Sequence, residues 1–288
     1  MSKTLVIILN HNLPEYTNKL YFSLQKFEGE TYDVMVMDNG SKPEFMPTKV
    51  HIRLENNLYW GGALNEAFKI VLRDDKYDSL LFLNNDIEVT SEVFVNLLRN
   101  ELFKNDFAIV SPCLAGWAQP WKQMQNWGYR GTRIVKWIDN QAPLFHRKLI
   151  AAIGQFDSEL YYGWGQELIC FEFCQERGWQ IGVCDHITIL HFGKQTLRQN
   201  RLFAKRNTDQ YTGDQPVPLE ESHDIARKEY LSYFADHILK HGKFEELQAY
   251  GEKYVFYESL SERVYHCLQK HDVTFLHRLA KYFKPGKD

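Results

Sequence analysis

Leu80-Leu81-Phe82-Leu83-Asn84-Asn85-Asp86 is an unbroken apolar run that stops abruptly in three polar residues. A strand covered on both faces reads this way, and the polar stop marks its carboxyl end. The same pattern occurs twice upstream. Leu5–Leu9 runs into Asn10-His11-Asn12, and Val34–Met37 runs into Asp38-Asn39-Gly40-Ser41. His51–Leu54 reads as a further strand.

Helical segments separate these strands. Asn12-Leu13-Pro14 supplies a cap and a first-turn proline, followed by Tyr16, Leu20, Leu24 and Phe27 on one stripe. Gly61-Gly62 opens a helix packed by Leu64, Ala67, Phe68 and Val71. Thr90 caps another that buries Val93, Phe94, Leu97 and Leu98. This alternation predicts an α/β fold with a doubly wound, mostly parallel sheet. Ligands of such sheets sit beyond the carboxyl ends of the strands, where the polar stops cluster.

Between 111 and 150 the pattern loosens, with Trp117, Trp121, Trp127 and Trp137 among Gly, Gln and Pro. A helix over 156–179 and a strand over Gln180–His191 follow. Beyond 200 the chain reads as helical, so the expected division is a domain over 1–200 and a helical C-terminal extension over 201–288.

Composition narrows the function classes. The 288 residues carry 34 Lys+Arg against 37 Asp+Glu, a net charge of −3, which does not fit a general nucleic-acid binder. No apolar stretch reaches the roughly 18–20 residues of a membrane span. The N-terminal apolar segment is too brief for a signal-peptide core. Five cysteines without a CxxC pair argue for a reduced protein, and Cys170, Cys174 and Cys184 read as core filling. The expected location is the cytoplasm, with a peripheral place at the inner membrane face as a variant.

Several residues have the chemistry of a site, each beside a plainer role. Asp86 can hold a hard divalent cation that shares phosphate oxygens with a substrate, or it can close a turn. Asp38 can accept from a nucleobase or ribose, or cap its own turn. Gly61-Gly62 lets backbone approach a ligand at a helix start. Tyr161-Tyr162-Gly163-Trp164-Gly165-Gln166-Glu167 sets aromatic rings beside a carboxylate, which is either a general base near a sugar-stacking surface or a first-turn glutamate. His191 ends a strand as a metal ligand or a packed ring, and Lys194 lies close enough in sequence to serve a phosphate.

Taken in order, these segments resemble the family 2 glycosyltransferases of GT-A fold, across residues 4–196. The landmarks are Asn10 through Tyr16, Asp38-Asn39-Gly40-Ser41, Asn57 through Asn65, Leu83-Asn84-Asn85-Asp86, Phe156-Asp157, Gly163–Glu167, Arg177-Gly178-Trp179 and His191-Phe192-Gly193. The resemblance implies a nucleotide pocket lined by Asn10, Asn12, Asp38, Asn57, Gly61, Gly62, Asn65 and Asn85. It implies donor and acceptor contacts from Tyr162, Trp164, Gly165 and Lys194, and a divalent cation, Mn2+ or Mg2+, at Asp86 and His191. Asp86 matches the last acid of the family's Asp-x-Asp motif, whose first position is here Asn84.

Glu167 falls at the family's catalytic Glu-Asp pair. Matching Gly178-Trp179 puts it at the Asp, and matching Gly163-Trp164-Gly165 puts it at the Glu, with Leu168 following. The implied reaction is inverting transfer from a nucleotide sugar, UDP first and dTDP second, to a glycan or lipid-linked saccharide hydroxyl in polysaccharide biosynthesis. Self-association through the C-terminal helices is a further expectation. A nucleotidyltransferase would show a Gly-rich loop with Arg or Lys after the first strand, and Asn10–Glu15 has neither. A non-catalytic carbohydrate-binding protein is the remaining alternative. Acids at 38, 86 and 167 are expected to converge on one rim of the sheet.

Overall fold

The structure is a computed structural model that describes residues 2–89, 91–115, 122–156 and 166–193. Thr90, Trp117, Trp121, Tyr162, Trp164, Gly165, Lys194 and the 201–288 extension lie outside the described residues. The element order is β1 (Lys3–Asn10), α1 (Pro14–Gln25), β2 (Tyr32–Asn39), β3 (Ile52–Leu54), α2 (Tyr59–Arg73), β4 (Tyr77–Asn84) and β5 (Ile87–Val89). It continues with α3 (Phe94–Lys104), β6 (Phe107–Ala115), β7 (Thr132–Val135), β8 (Leu144–His146), α4 (Arg147–Ile153), α5 (Gln166–Arg177) and β9 (Gln180–His191).

The strands form one sheet in the order β3-β2-β1-β4-β8-β6-β9-β5, with β7 also on β9. β1, β2, β3, β4, β6 and β9 run one way, and β5, β7 and β8 run the other. The mostly parallel α/β sheet is therefore as expected. Leu5, Val6, Ile7 and Ile8 of β1 are each 0% exposed. β2 and β4 flank β1, so the chain leaves β1 toward one edge and returns on its other side. That reversal opens a crevice at the carboxyl ends of β1 and β4.

Two helices bury the body of the stripe the sequence suggests, Leu20 and Leu24 in α1 and Phe94 and Leu98 in α3, but not Phe27 or Val93. α1 buries Thr17, Leu20, Tyr21 and Leu24, while Phe27 lies past the helix end and is 39% exposed. The helix stops at Gln25, so the stripe cannot extend to Phe27. α3 buries Phe94, Val95, Leu98 and Leu102; Val93 occupies its cap position and is exposed. Asn12 does not cap α1 either: Leu13 takes the cap position and makes no side-chain cap bond. The C-terminal end of α2 is closed from a distance. The Arg147 guanidinium donates to the carbonyls of Val71 and Leu72 in the helix's last turn, partners for its orphan acceptors, and to those of Asp74 and Tyr77 beyond it.

The loosely patterned 122–135 stretch is organised by a buried ion pair. Arg133 Nε donates to Asp185 Oδ1 at 2.7 Å, with the two side chains 5% and 0% exposed. Arg133 also donates to the carbonyls of Gln123 (2.7 Å) and Gln125 (3.0 Å). Asp185 Oδ2 accepts from the amides of Trp127 (3.0 Å) and Tyr129 (3.1 Å). The guanidinium lies over the Trp127 ring. The pair therefore sets the loop, and Trp127 serves as its packing wall. Cys113, Cys170, Cys174 and Cys184 are free and buried, and burial pushes the Cys174 and Cys184 thiols up to about 12, as inert core filling requires.

These contacts set how the fold responds to mutation and to acid. Asp185→Ala leaves a buried guanidinium without its partner, so urea unfolding should show a loss of about 3–5 kcal/mol. His146 caps α4 by accepting from Lys148 N at 3.0 Å, and His51 Nδ1 accepts from Val36 N at 3.0 Å. Burial first, then Lys148, pushes the His146 pKa down, and burial does the same at His51. The unfolded chain therefore takes up these protons at a higher pH than the native state does. Stability from this source is full above the unfolded value of about 6.5 and is lost as pH falls through it. The thermal midpoint should drop between about pH 7 and 5, and the drop should be shallower in His146→Asn, which retains a capping oxygen.

Candidate active site at the carboxyl rim of the sheet

β1, β2 and β4 end side by side in Asn10, Asn39 and Asn84. Beneath the rim runs a buried chain of amides and hydroxyls. Asn85 Nδ2 donates to Thr17 Oγ1 at 2.9 Å, and Thr17 Oγ1 donates to Asn10 Oδ1 at 2.7 Å. Asn10 Nδ2 donates to Asp38 Oδ1 at 2.8 Å and to Ser41 Oγ at 3.0 Å. Asp38 Oδ2 accepts from Ser41 N at 3.2 Å. Asn10, Thr17 and Asp38 are 0% exposed.

Asn10, Asp38 and Asn85, the residues expected at a nucleotide, are all members of this network, and Asp38 also accepts from its own turn. Asn12 joins the same turn: its Oδ1 accepts from Lys42 N at 3.0 Å, and its backbone N donates to Ser41 Oγ at 2.9 Å.

A second layer ties the β2 turn to the start of α2. Asn39 Nδ2 donates to Asn57 Oδ1 (2.9 Å) and Tyr59 O (3.0 Å), and its Oδ1 accepts from Leu58 N (2.8 Å). His11 Nδ1 donates to Asn39 O at 2.9 Å, which leaves Nε2 to accept from the Asn12 amide at 3.2 Å and the Asn57 amide at 3.3 Å. Asn57 thus holds the loop. Gly40 has φ +68°, and a Cβ there would collide with the backbone of Asn56 and Asn57. That close approach, with the positive φ, excludes other residues. Tyr59 and Asn12 also take left-handed backbone, at φ 54° and 55°, a conformation that non-glycine residues adopt sparingly.

Gly61 and Gly62 lie in the first turn of α2, where Gly62 N donates to Leu58 O at 3.1 Å. A Cβ on Gly62 would meet Leu58 Cβ at 2.7 Å, so this glycine's close approach is to its own loop. Asn65 clamps the Phe156 backbone, donating to its carbonyl at 2.9 Å and accepting from its amide at 2.8 Å. It therefore anchors the chain immediately before 157–165.

Asp86 and His191 meet across the sheet. β5 pairs antiparallel with β9, placing Ile87 opposite His191, and Phe192 N donates to Asp86 O at 2.9 Å. Asp86 Oδ1 lies 3.5 Å from His191 Nε2, and the residues are 6% and 7% exposed. His191 Nδ1 is buried with no hydrogen-bond partner among the described residues. A carboxylate oxygen and an imidazole nitrogen this close, with the ring's other nitrogen unsatisfied, suit two ligands of a divalent cation. Among the described residues no group of three or more His, Cys, Asp and Glu could hold a metal. A cation that also binds substrate phosphates needs only one or two protein groups, so the pair fits.

Asn84 is not a third ligand of this kind. Its Oδ1 accepts from Trp60 Nε1 at 2.9 Å, and its Nδ2 donates to Gln141 Oε1 at 2.5 Å. Gln141 Nε2 donates to Asp139 Oδ2 at 3.2 Å. Desolvation raises the Asp139 pKa, with Gln141 and the His191 ring opposing it. Glu167 lies in the first turn of α5, half-buried and within electrostatic reach of Cys170. Asn39, Trp60, Asp139 and Gln141 were not singled out by the sequence. Asn39 stood in a quoted motif, but Asp139 and Gln141 sit in the stretch without periodicity.

No protein-family model matches the chain, and no curated protein matches it in sequence. By structure it is similar to the crystal structure of GalNAc-T7 with UDP, GalNAc and Mn2+, with a TM-score of 0.51 and 14% identity over 67% of this chain. The fold is of the GT-A type. The match spans 44% of the GalNAc-T7 chain. Within the sheet, the buried amide chain is the support of the site. Thr17→Val removes its central hydroxyl and leaves Asn10 and Asn85 short of a partner; denaturant unfolding should show a loss of about 1–3 kcal/mol.

Proposed function

We propose that the protein is a nucleotide-sugar-dependent glycosyltransferase of family 2 type, acting with inversion on a hydroxyl of a glycan or lipid-linked saccharide. The observation that carries the reading is the Asp86–His191 pair at the carboxyl rim of a GT-A sheet, 3.5 Å apart and nearly buried. The GalNAc-T7 structure contains UDP and Mn2+, which favours a UDP sugar and a divalent cation here as well. The order of motifs along the sequence favours family 2.

Asp86 and His191 would hold the cation, which supplies neutralisation of the charge on the departing diphosphate. The rest of the work belongs to the chain. Asn39, Asn57 and His11 fix the loop that opens α2, and so shape the nucleotide side of the crevice. Asn65 fixes Phe156 and with it the start of the segment carrying Tyr162, Trp164 and Gly165, the proposed sugar contacts. Lys194 is proposed to meet the diphosphate. Glu167 would take the proton of the acceptor hydroxyl as that oxygen attacks the anomeric carbon from the face opposite the leaving group. One displacement of this kind inverts the configuration. No helix among the described residues is long and apolar enough to cross a membrane.

Release of nucleoside diphosphate from a panel of nucleotide sugars with Mn2+ tests the reading. Pyrophosphate from a nucleotide would indicate nucleotidyl transfer, and nucleotide-sugar binding without turnover would indicate a binding protein. Asp86→Ala and Glu167→Gln should each lower turnover by about 10²-fold or more while unfolding stays cooperative. Near-wild-type turnover in either variant would remove that residue from its role.

A further inference from the structure

We propose that Asn84 is a positioning residue of the cation site and not a ligand lost to substitution. Its amide fixes the strand end that carries Asp86, and the position requires a side chain that accepts on one side and donates on the other. The inference rests on reading Asp86 and His191 as the cation's ligands.

Each residue of Asn84-Asn85-Asp86 is anchored on a different element. Successive residues at the end of a strand point to opposite faces, and these two asparagines do so. On one face Asn84 Oδ1 accepts from Trp60 Nε1 at 2.9 Å, and its Nδ2 donates to Gln141 Oε1 at 2.5 Å. The backbone repeats the second link, since Asn84 N donates to Gln141 O at 3.0 Å. Trp60 is itself set edge-on against Phe82, with ring centroids 5.2 Å apart, and Phe82 is 0% exposed. On the other face Asn85 Nδ2 donates to Thr17 Oγ1 at 2.9 Å. The third anchor is the Asp86 carbonyl, which accepts from Phe192 N at 2.9 Å. Held at these three points, the loop sets the Asp86 carboxylate 3.5 Å from His191 Nε2.

The polarity of the Asn84 anchor is dictated from both ends. An indole N–H can only donate, so the Asn84 oxygen must face Trp60 and its NH2 must face Gln141. Gln141 then turns its oxygen to Asn84 and its NH2 to Asp139 Oδ2, at 3.2 Å. Asp139 Oδ1 accepts from Asn140 N at 2.9 Å. A carboxylate at position 84 would still accept from Trp60 but would face the Gln141 oxygen. Turning the Gln141 amide over relieves that contact and sets the same oxygen against Asp139. One repulsive contact remains whichever way the amide lies. An asparagine at position 139 would remove it, because it can accept from Asn140 N and donate to the reversed Gln141. The acid can therefore stand at either end of this chain but not at both.

The test uses the full chain, with Mn2+ titrated by electron paramagnetic resonance in the presence of UDP and turnover read as release of nucleoside diphosphate. Asn84→Asp adds an acid two residues from Asp86, yet it should weaken Mn2+ by about tenfold and lower turnover by about 10–100-fold. Asp139→Asn, at the other end of the chain, should move both readouts the same way. Asn84→Asp combined with Asp139→Asn should recover most of both, a coupling that two independent losses would not give. Tighter Mn2+ in Asn84→Asp would make position 84 a ligand and overturn the proposal. A double variant no better than the single ones would overturn it as well. If the single variants fail to fold, Gln141→Met removes the acceptor of the Asn84 amide and should weaken Mn2+ in the same direction. Unchanged affinity and turnover in that variant would overturn the role of Asn84 alone. Failure of the wild type to bind Mn2+ with UDP would overturn the cation site itself, and the proposed function with it.

Discussion

The short antiparallel ladder between β5 and β9 is the constraint on which the site depends. Ile87, Glu88 and Val89 face His191, Leu190 and Ile189, and this pairing brings a residue from the first half of the chain against one from the far end of the sheet. A slip of one residue would turn every side chain of β5 to the other face, separating Asp86 from His191. The bond from Phe192 N to Asp86 O extends the pairing by one step beyond the ladder, at the position where the carboxylate must be held. β9 can serve this role because it is long. Its first half carries β7, with Val135 opposite Ile181, and its last residues carry β5. The Arg133–Asp185 pair fixes the middle of the same strand.

Polar residues at the rim divide into two kinds. Asn10, Thr17, Asp38, Ser41 and Asn85 are buried and satisfy one another, joining the ends of β1, β2 and β4 to the start of α1. A network of this type is rigid when every member is paired. Asp86 and His191 differ, since the imidazole retains an unsatisfied nitrogen and the pair is spaced for a shared ion. The buried network is thus a foundation, and the incompletely satisfied pair is where the proposed cation would be held. Preorganised support beneath a site is what holds reacting groups in register.

Much of the sheet could be read from the sequence because its strands are covered on both faces. Short apolar runs such as Leu5–Leu9 and Leu80–Leu83, each closed by polar turn residues, have the length of a buried strand and are too brief for a buried helix. β9 spans Gln180–His191, the expected residues. Helix faces were less legible. The stripe through Tyr16 and Phe27 and the one that began at Val93 both depended on where a helix starts and stops, and loop contacts decide that. The 122–146 region was opaque for a different reason. Its order comes from Arg133 reaching Asp185 and Gln141 reaching Asn84, contacts between distant residues that leave no local periodicity. At the site, the family resemblance named Asp86 and His191 together, and the structure places their side chains 3.5 Å apart. Asp38 carried two readings of equal standing, and it does accept from Ser41 N in its own turn.

The central claim is that Asp86 and His191 hold a divalent cation at the rim of this GT-A sheet. Anomalous diffraction at the manganese edge, from crystals grown with UDP and Mn2+, tests it most directly. The account predicts one strong peak bonded to Asp86 and His191, with the UDP diphosphate as its other neighbour. A manganese peak bound elsewhere, or UDP seated at the rim with no ion between those two side chains, would contradict it.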